Sequence, residues 1–485
     1  MGRTDSKGSV LARSCRLLAG ALAAVLAGVA LQAGVAAGAG AGAGADRGDG
    51  RLDPRFGNGG IVSTAIAPNG GPDFENGLAV DDRGRYLVSG SSDVGSGGGS
   101  QWRIARYTPQ GQLDRSFGSG GAVLTGMSAA GGEDEHVWRL AVQHDGKIVA
   151  VGHAITPTGG EDFALARYLP DGRLDRSFGD GGRVFTAIGS GLFDDEAQAV
   201  GILADGKILV AGFAGTGAGT EGRDFALARY LPDGRLDRSY NRHGSRPGIV
   251  VTDIAGQRDQ LKNMVIDSRG RAVAVGSATL GAGRGGTDFA VARYLPDGVL
   301  DRSFSRTGPH PGVAVTAMAP GDNLDLAEGV AIDRKERITV GGSADTGHLF
   351  DLALARYTPE GELDGTFGTG GKVLTNVGPG LTDDDLEGLV LQPNGKIIVG
   401  GSVATTEFLV DGDFLLARYE PNGNLDRSFG HEGFVRTSTA PGKADDEIFD
   451  IALAGAGKLI AAGECDQPTT GRDVCLVRYE VGSPH

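Results

Sequence analysis

The chain has 485 residues, 86 of them glycine and three cysteine, and a formal net charge of −15. So much glycine without a Gly-X-Y period excludes collagen and points to turns between many short strands. An acidic chain of this kind is a poor partner for nucleic acid or anionic lipid, and it suits cation binding or plain solubility.

Arg13 and Arg16 stand before an uncharged run over residues 17–45. A basic segment, an apolar stretch and then small residues make the layout of a secretory signal, with Val35-Ala36-Ala37 as the cleavage site. The run is also long enough for an uncleaved anchor, and either version exports the remainder of the chain. Residues 1–37 therefore read as signal peptide or anchor, and 38–50 as a Gly/Ala-rich linker with nothing to bury in a core. Cys15 precedes the apolar run, the wrong place for a lipid-bearing cysteine. No second apolar run is present, so no membrane contact is expected beyond the N-terminal segment. The expected location is extracellular, cell-surface or periplasmic.

A repeat fills the rest. Leu-Asp pairs begin at Leu52, Leu113, Leu174, Leu236, Leu300, Leu363 and Leu425, in steps of 61 to 64 residues. Arg-Tyr pairs begin at Arg106, Arg167, Arg229, Arg293, Arg356, Arg418 and Arg478. In the second unit, residues 121–125 are a short β-rich run. Residues 137–142 and 147–152 form a hairpin across Asp145-Gly146, and 163–168 end at a Leu-Pro-Asp-Gly turn. Four short strands joined by tight turns cannot stand alone, and arranging seven such units radially protects their edges. A solenoid is the runner-up, but its last repeat should look like a cap, and here the full pattern persists to Tyr479.

The expected fold is all-β: a seven-bladed β-propeller of four-stranded antiparallel blades over residues 51–480, with a tail at 481–485. The run before each Asp-Gly turn is the most apolar and should be innermost. The first outer-type run, 61–64, then has no blade of its own and should close the ring against the last blade.

Phe163, Leu165 and Arg167 share one strand face. Both faces of a propeller blade are covered, so this arginine needs a carboxylate or several carbonyls. Three acidic columns offer themselves. The first holds Asp73, Glu135, Asp195, Asp259, Asp325, Asp384 and Asp446, just before the innermost run. The second holds Asp53, Asp114, Asp175, Asp237, Asp301, Asp364 and Asp426, in the Leu-Asp turns. The third, from Asp162 to Asp473, opens each Arg-Tyr strand, with Gln101 replacing it in the first. Sevenfold recurrence favours architecture, as Asp–Arg pairs and turn caps. The functional alternative places the first column around a channel mouth, holding calcium through carboxylate oxygens. No other cofactor is expected. The basic column after the Asp-Gly turn, such as Lys147, reads as solvated or paired with nearby acids.

Departures from the repeat are where a specific site would lie. The fourth and fifth units replace Phe-Gly-x-Gly-Gly with longer loops, 240–248 and 304–312. Arg242, His243, Arg246, Arg306 and His310 there make a basic surface suited to an acidic partner. The second unit gathers His136 and His153 on facing strands, without a tight zinc-ligand spacing. Cys465 and Cys475 flank a hairpin in the last unit and read as a disulfide in an oxidising compartment. No nucleophile motif, phosphate-binding glycine loop or HExxH helix is present.

The run Asp145-Gly-Lys-Ile-Val-Ala-Val-Gly152, followed by Asp162-Phe-Ala-Leu-Ala-Arg-Tyr-Leu-Pro-Asp-Gly-Arg-Leu-Asp-Arg-Ser-Phe-Gly179, resembles the bacterial delta-60 repeat. The resemblance covers residues 52–479 and departs only in loops, as at Lys335-Glu336. It implies a propeller in an exported or surface protein and carries no catalytic residues. The expected function is a monomeric, non-enzymatic binding or scaffold module for a protein or glycan at the cell surface. The rival reading is a propeller enzyme, of lyase or quinoprotein dehydrogenase type, working at the channel mouth.

Overall fold

The computed structural model describes residues 49–482 apart from 68–71, 95–98, 129–134, 157–159, 190–193, 217–221, 255, 281–285, 348, 378–383, 405–411, 440–444, 456 and 468–469. The segment expected to be signal or anchor, and all but the end of the expected linker, lie outside the described residues.

The Asp-Gly turns set the hairpins. Gly146 takes φ 79°, left-handed backbone open to glycine, and His136–Val142 pairs antiparallel with Ile148–Ile155 across it. Glu161–Tyr168 and Arg183–Thr186 complete the second blade in chain order. Five further blades repeat the order, opening on Asp73–Val80, Glu196–Ile202, Asp259–Ile266, Asp325–Ile332 and Asp384–Leu391. The seventh combines Glu447–Leu453, Lys458–Gln467 and Gly471–Glu480 with Ile61–Thr64 from the other end of the chain, Ile61 facing Val477. Arg51–Leu52 extends the same edge beside Tyr479 and Glu480, an addition beyond the expected closure. The fold is the seven-bladed, N-terminally closed propeller read from the repeat.

First strands of neighbouring blades touch all the way round, the seventh meeting the first, so these strands line the central channel. The core is divided among the blade interfaces. Between the second and third blades, for instance, Val149, Val151, Phe163 and Leu165 pack on Ala197, Ile208 and Val210.

The Arg-Tyr strand fastens each blade to the next. Arg167 Nε donates to Asp175 at 2.9 Å, its guanidinium lies 4.5 Å from the centroid of the Phe178 ring, and Nη1 donates to the Pro232 carbonyl of the following blade. The same three contacts recur from Arg106, Arg229, Arg293 and Arg356. Arg418 meets the Val481 carbonyl instead, and Arg478 closes the ring onto Pro109. The adjacent tyrosine ties the blade backwards: Tyr168 Oη donates to Thr125 Oγ1 of the first blade at 3.0 Å. Burial raises the second-column carboxyls, but hydrogen bonds and arginine charge outweigh it and hold Asp175 at about 2.

The first acidic column corrects two expectations. It does not pair with the Arg-Tyr arginines, and it does not form a ring of free carboxylates at a channel mouth. Each member is buried and accepts backbone N–H groups from the connection before its own strand: Asp73 from Ile66 and Ala67, Glu135 from Met127 and Ser128, Asp195 from Ile188 and Gly189. Asp259, Asp325, Asp384 and Asp446 do the same with Ile254, Met318, Val377 and Thr439. Burial raises Asp195 and Asp446 to about 6 and Asp325 to about 7.

The seam between seventh and first blades carries its own buried ionic network. Arg103, fully buried, bonds Glu75 and lies 2.9 Å from Asp73. The Glu75 N–H donates to Glu464 at 3.0 Å, and Glu464 pairs with Arg472 at 2.9 Å. Burial outweighs these cations and lifts Glu75 and Glu464 to about 8. Cys465 and Cys475 are disulfide-bonded in the same blade.

Two outcomes are expected. Arg167→Ala removes the Nε bond to Asp175, which keeps Lys147 at 3.5 Å, together with the Pro232 and Phe178 contacts, and should lower unfolding free energy by about 2–3 kcal/mol in urea titrations, whereas a surface change such as Arg173→Ala should leave it almost unchanged. The pH dependence has two limbs. The depressed carboxyls stabilise above their unfolded values and lose that effect as pH falls toward 2. The raised ones, Glu75 and Glu464 among them, stabilise fully below their unfolded values and lose that effect as pH rises through 6 to 8. Melting temperature against pH should therefore peak in the mildly acid range, and Glu464→Gln should flatten the alkaline limb.

Candidate functional site

Every first strand contains a β-bulge. Its register against the second strand slips by one residue, leaving Asn76, Trp138, Gln198, Lys262, Glu328, Glu387 and Phe449 as the inserted positions. A bulge twists the strand and re-aims the extra side chain. Opposite it stands a glycine of the second strand: a Cβ on Gly152 would lie 2.0 Å from the His136 carbonyl oxygen. The bulge position is where the seven units agree least. Two residues earlier, on the same face, a second variable ring holds Phe74, His136, Glu196, Gln260, Leu326, Asp385 and Glu447.

These side chains meet on the axis. Arg139, next to its bulge, bonds Asp450 of the seventh blade at 2.5 Å, reaching past the first blade. Lys262 Nζ lies 3.6 Å from Glu328 and within the field of Glu387, Glu196 and Asp385. Those acids come from the fifth, sixth and third blades, two of which flank the lysine's own. Burial opposes the charge of Lys262, yet the surrounding carboxylates prevail and raise its pKa. Burial also raises Glu328 and Glu387, the latter further through Glu328 and Asp385. One arc of the channel is thus acidic. The arc through Phe449, Asn76 and Trp138 is aromatic and amide in character.

At the second blade, His136 and His153 face each other with ring centroids 5.4 Å apart, and Trp138 Nε1 donates to His153 Nδ1 at 3.3 Å. This leaves the proton of neutral His153 on Nε2, 3.9 Å from Glu161. Burial raises Glu161 to about 7, with the neighbouring Glu196 adding to the rise, and lowers His136 to about 3. His153, Glu161 and Glu196 offer ligand atoms within 4.8 Å of one another. The indole bond works against metal binding there, because the nitrogen facing the carboxylates carries the proton.

The basic loops do not form one site. Arg242 and His243 are exposed and 3.0 Å apart, beside Asp297 and Val299 in a shallow depression. Arg246 turns away to the Ala187 and Ile188 carbonyls of the second blade. Arg306 is exposed, and His310 pairs its backbone with Val313. Asn241 and Ser305 take φ 46° and 45° where other units use glycine, and their N–H groups still bond the next blade. The longer loops therefore preserve the fastening.

Among solved structures, the chain is similar to the polysaccharide lyase "PL25-Ulvanlyase" bound to -[GlcA(1-4)Rha3S]-, with TM-score 0.50, 12% identity, and 87% and 96% of the two chains covered. It is also similar to a virginiamycin B lyase from Staphylococcus aureus, with TM-score 0.43, 10% identity, and 86% and 99% covered. At such identities the likeness is one of fold alone. No curated protein matches the chain in sequence. Residues 84–117, 143–178, 203–240, 270–304, 337–367 and 392–429 match the family model described as "Domain of unknown function (DUF5122) beta-propeller". Each matched segment runs from the Asp-Gly turn region toward the ring that stacks on the fastening arginine, and the channel-lining strands fall outside them. The chain is a seven-bladed β-propeller, and segments of six of its repeats match this family model.

Proposed function

We propose that this protein is an exported, non-enzymatic binding module that holds a protein or glycan partner at its central channel. One observation carries the reading: the bulge in every first strand inserts a side chain that differs from blade to blade on the strands that line the channel, while the Arg-Tyr strands and the turns after them are committed to fastening. A ligand site needs chemically different groups converging on one place, with an aromatic surface and a few polar anchors. Trp138, Phe449, Asn76 and Lys262 supply that mixture. The disulfide suits an oxidising compartment, and no helix among the described residues is long and apolar enough to cross a membrane.

The raised carboxyl of Glu161 beside His153 favours a second reading, a propeller enzyme using that group in proton transfer. The two separate in one experiment. Glycan arrays identify a ligand, and bound material is recovered and weighed by mass spectrometry. Intact ligand supports a binding module, and cleaved ligand supports the enzyme. Within the binding reading, Trp138→Ala with Phe449→Ala should weaken retention more than tenfold, about 1.4 kcal/mol or more, measured below the melting temperature of the variant, which loses the indole bond to His153. Arg242→Glu with Arg306→Glu should leave retention unchanged. The reverse pattern would move the site to the basic loops.

A further inference from the structure

The ring is joined without chain continuity at one place, inside the seventh blade. Every other blade runs unbroken from its third strand to its fourth, whereas Gly471–Glu480 receives Ile61–Thr64 from the other end of the chain. The arriving segment also completes two fastenings. Asp53 and the Phe56 ring serve Arg478, and Asp49 accepts from Arg418 at 2.7 Å. Until it docks, Arg478 lacks its carboxylate and its ring, and Gly471–Glu480 is an open sheet edge. We propose that the Cys465–Cys475 disulfide is a redox latch on this closure. The bond fixes the strand that receives Ile61–Thr64, and the closed ring then shields it from reductants.

Position is the first ground. Cys475 is the partner of Ser63 in the closing pair. Cys465 faces Asp473, whose carboxylate accepts from Ser63 Oγ at 2.9 Å. The same diagonal positions hold Ala154 and Ala164 in the second blade, and Ala214 and Ala226 in the third. No blade with continuous third and fourth strands carries cysteine there. The bond occurs only where continuity is missing.

Burial is the second ground. Both cysteines are fully buried and pack with Phe414 and Leu416 of the sixth blade. Thiol–disulfide exchange requires a thiolate to reach a sulfur, and an apolar setting disfavours the thiolate. The bond therefore forms before the ring closes. In that step two thiols pass two electrons and two protons to a disulfide-bearing oxidant, which leaves as two thiols, and one S–S bond joins Cys465 to Cys475. Docking of the N-terminal strand then seals it. A chain in a reducing compartment keeps an untied edge, and one that has reached an oxidising compartment closes. This device depends on strand order and not on the channel as a binding site.

Hydrogen exchange read by mass spectrometry on the whole protein tests the latch. Cys465→Ala with Cys475→Ala places there the alanines of the second blade. Exchange over 61–64 and 474–477 should then quicken on the order of tenfold, while 183–186, the fourth strand of the second blade, stays unchanged. An equal rise in both places, or no rise at all, overturns the inference, the bond then being a general stabiliser or idle. Reduction of the intact disulfide is the second arm, and it holds even if the double variant does not fold. Native protein should resist dithiothreitol. Val62→Asp, which loosens the closing strand, should speed reduction on the order of tenfold, and Val184→Asp, at the same position of the second blade, should not. Rapid reduction of the native protein overturns the latch, as do equal effects of the two aspartates.

Discussion

The constraint on which the rest depends is the guanidinium between blades. A propeller blade is covered on both faces, so an arginine placed there must find its partners inside the protein. Arg167 finds a carboxylate on its own blade, a carbonyl on the next and an aromatic ring under its plane. This geometry dictates the spacing of the repeat. The aspartate must come eight residues after the arginine, the ring a few residues later, and a tight turn must separate them. Where the loops lengthen after Tyr240 and Phe304, the arginine contacts are retained and Asn241 or Ser305 accepts left-handed backbone to keep the next link. The loop yields and the fastening does not.

Because the fastening is complete within the third and fourth strands and the turn between them, the first strand is released from it. It has to supply apolar residues to the blade interfaces and a backbone partner for the second strand. Its bulge adds a side chain with neither duty. The position is fixed in direction by contacts such as Asn76 Nδ2 to the Val137 carbonyl and Trp138 Nε1 to His153, which is what a site on a rigid scaffold requires. The family-model matches respect the same division, covering the fastening segments of six blades and leaving the first strands out.

The sequence therefore made the blade count, the innermost strand and the closure legible, since each derives from period, turn chemistry and one leftover run. It also misdirected. The Asp73 column recurs seven times beside the channel strand, and only the hydrogen bonds reveal that its carboxylates are absorbed by the preceding connection. The channel ring stayed hidden because a one-residue slip cannot be seen from strand alternation alone. A signal for it was present: the glycine within each second strand, as at Gly152 or Gly212, marks where a neighbouring backbone comes too close for a Cβ. Two such glycines a repeat apart would have located the bulge and, with it, Trp138 and Gln198.

Near-identical interfaces create a problem that fastening cannot solve. If every blade edge presents the same arginine, aspartate and turn, nothing in those contacts tells the chain which two blades must meet to close the ring. The seam supplies that difference. Arg103 stands where the corresponding strands of other blades place residues such as Ala164, Ala226 or Leu415, and Glu75 where others place Val137, Ala197 or Ile448. At the place of Glu464 other blades carry Ser277 or Ser343, which accept the equivalent N–H of Ala327 and Leu386, so pairing the first blade with such a neighbour would keep a backbone acceptor but lose the Glu464–Arg472 arm of the network beside Glu75 and Arg103. Buried charge is a poor source of stability but a strong penalty on wrong pairings. The seam is thus the interface with the least apolar chemistry and the most specific one, as ring closure in a repeat protein demands.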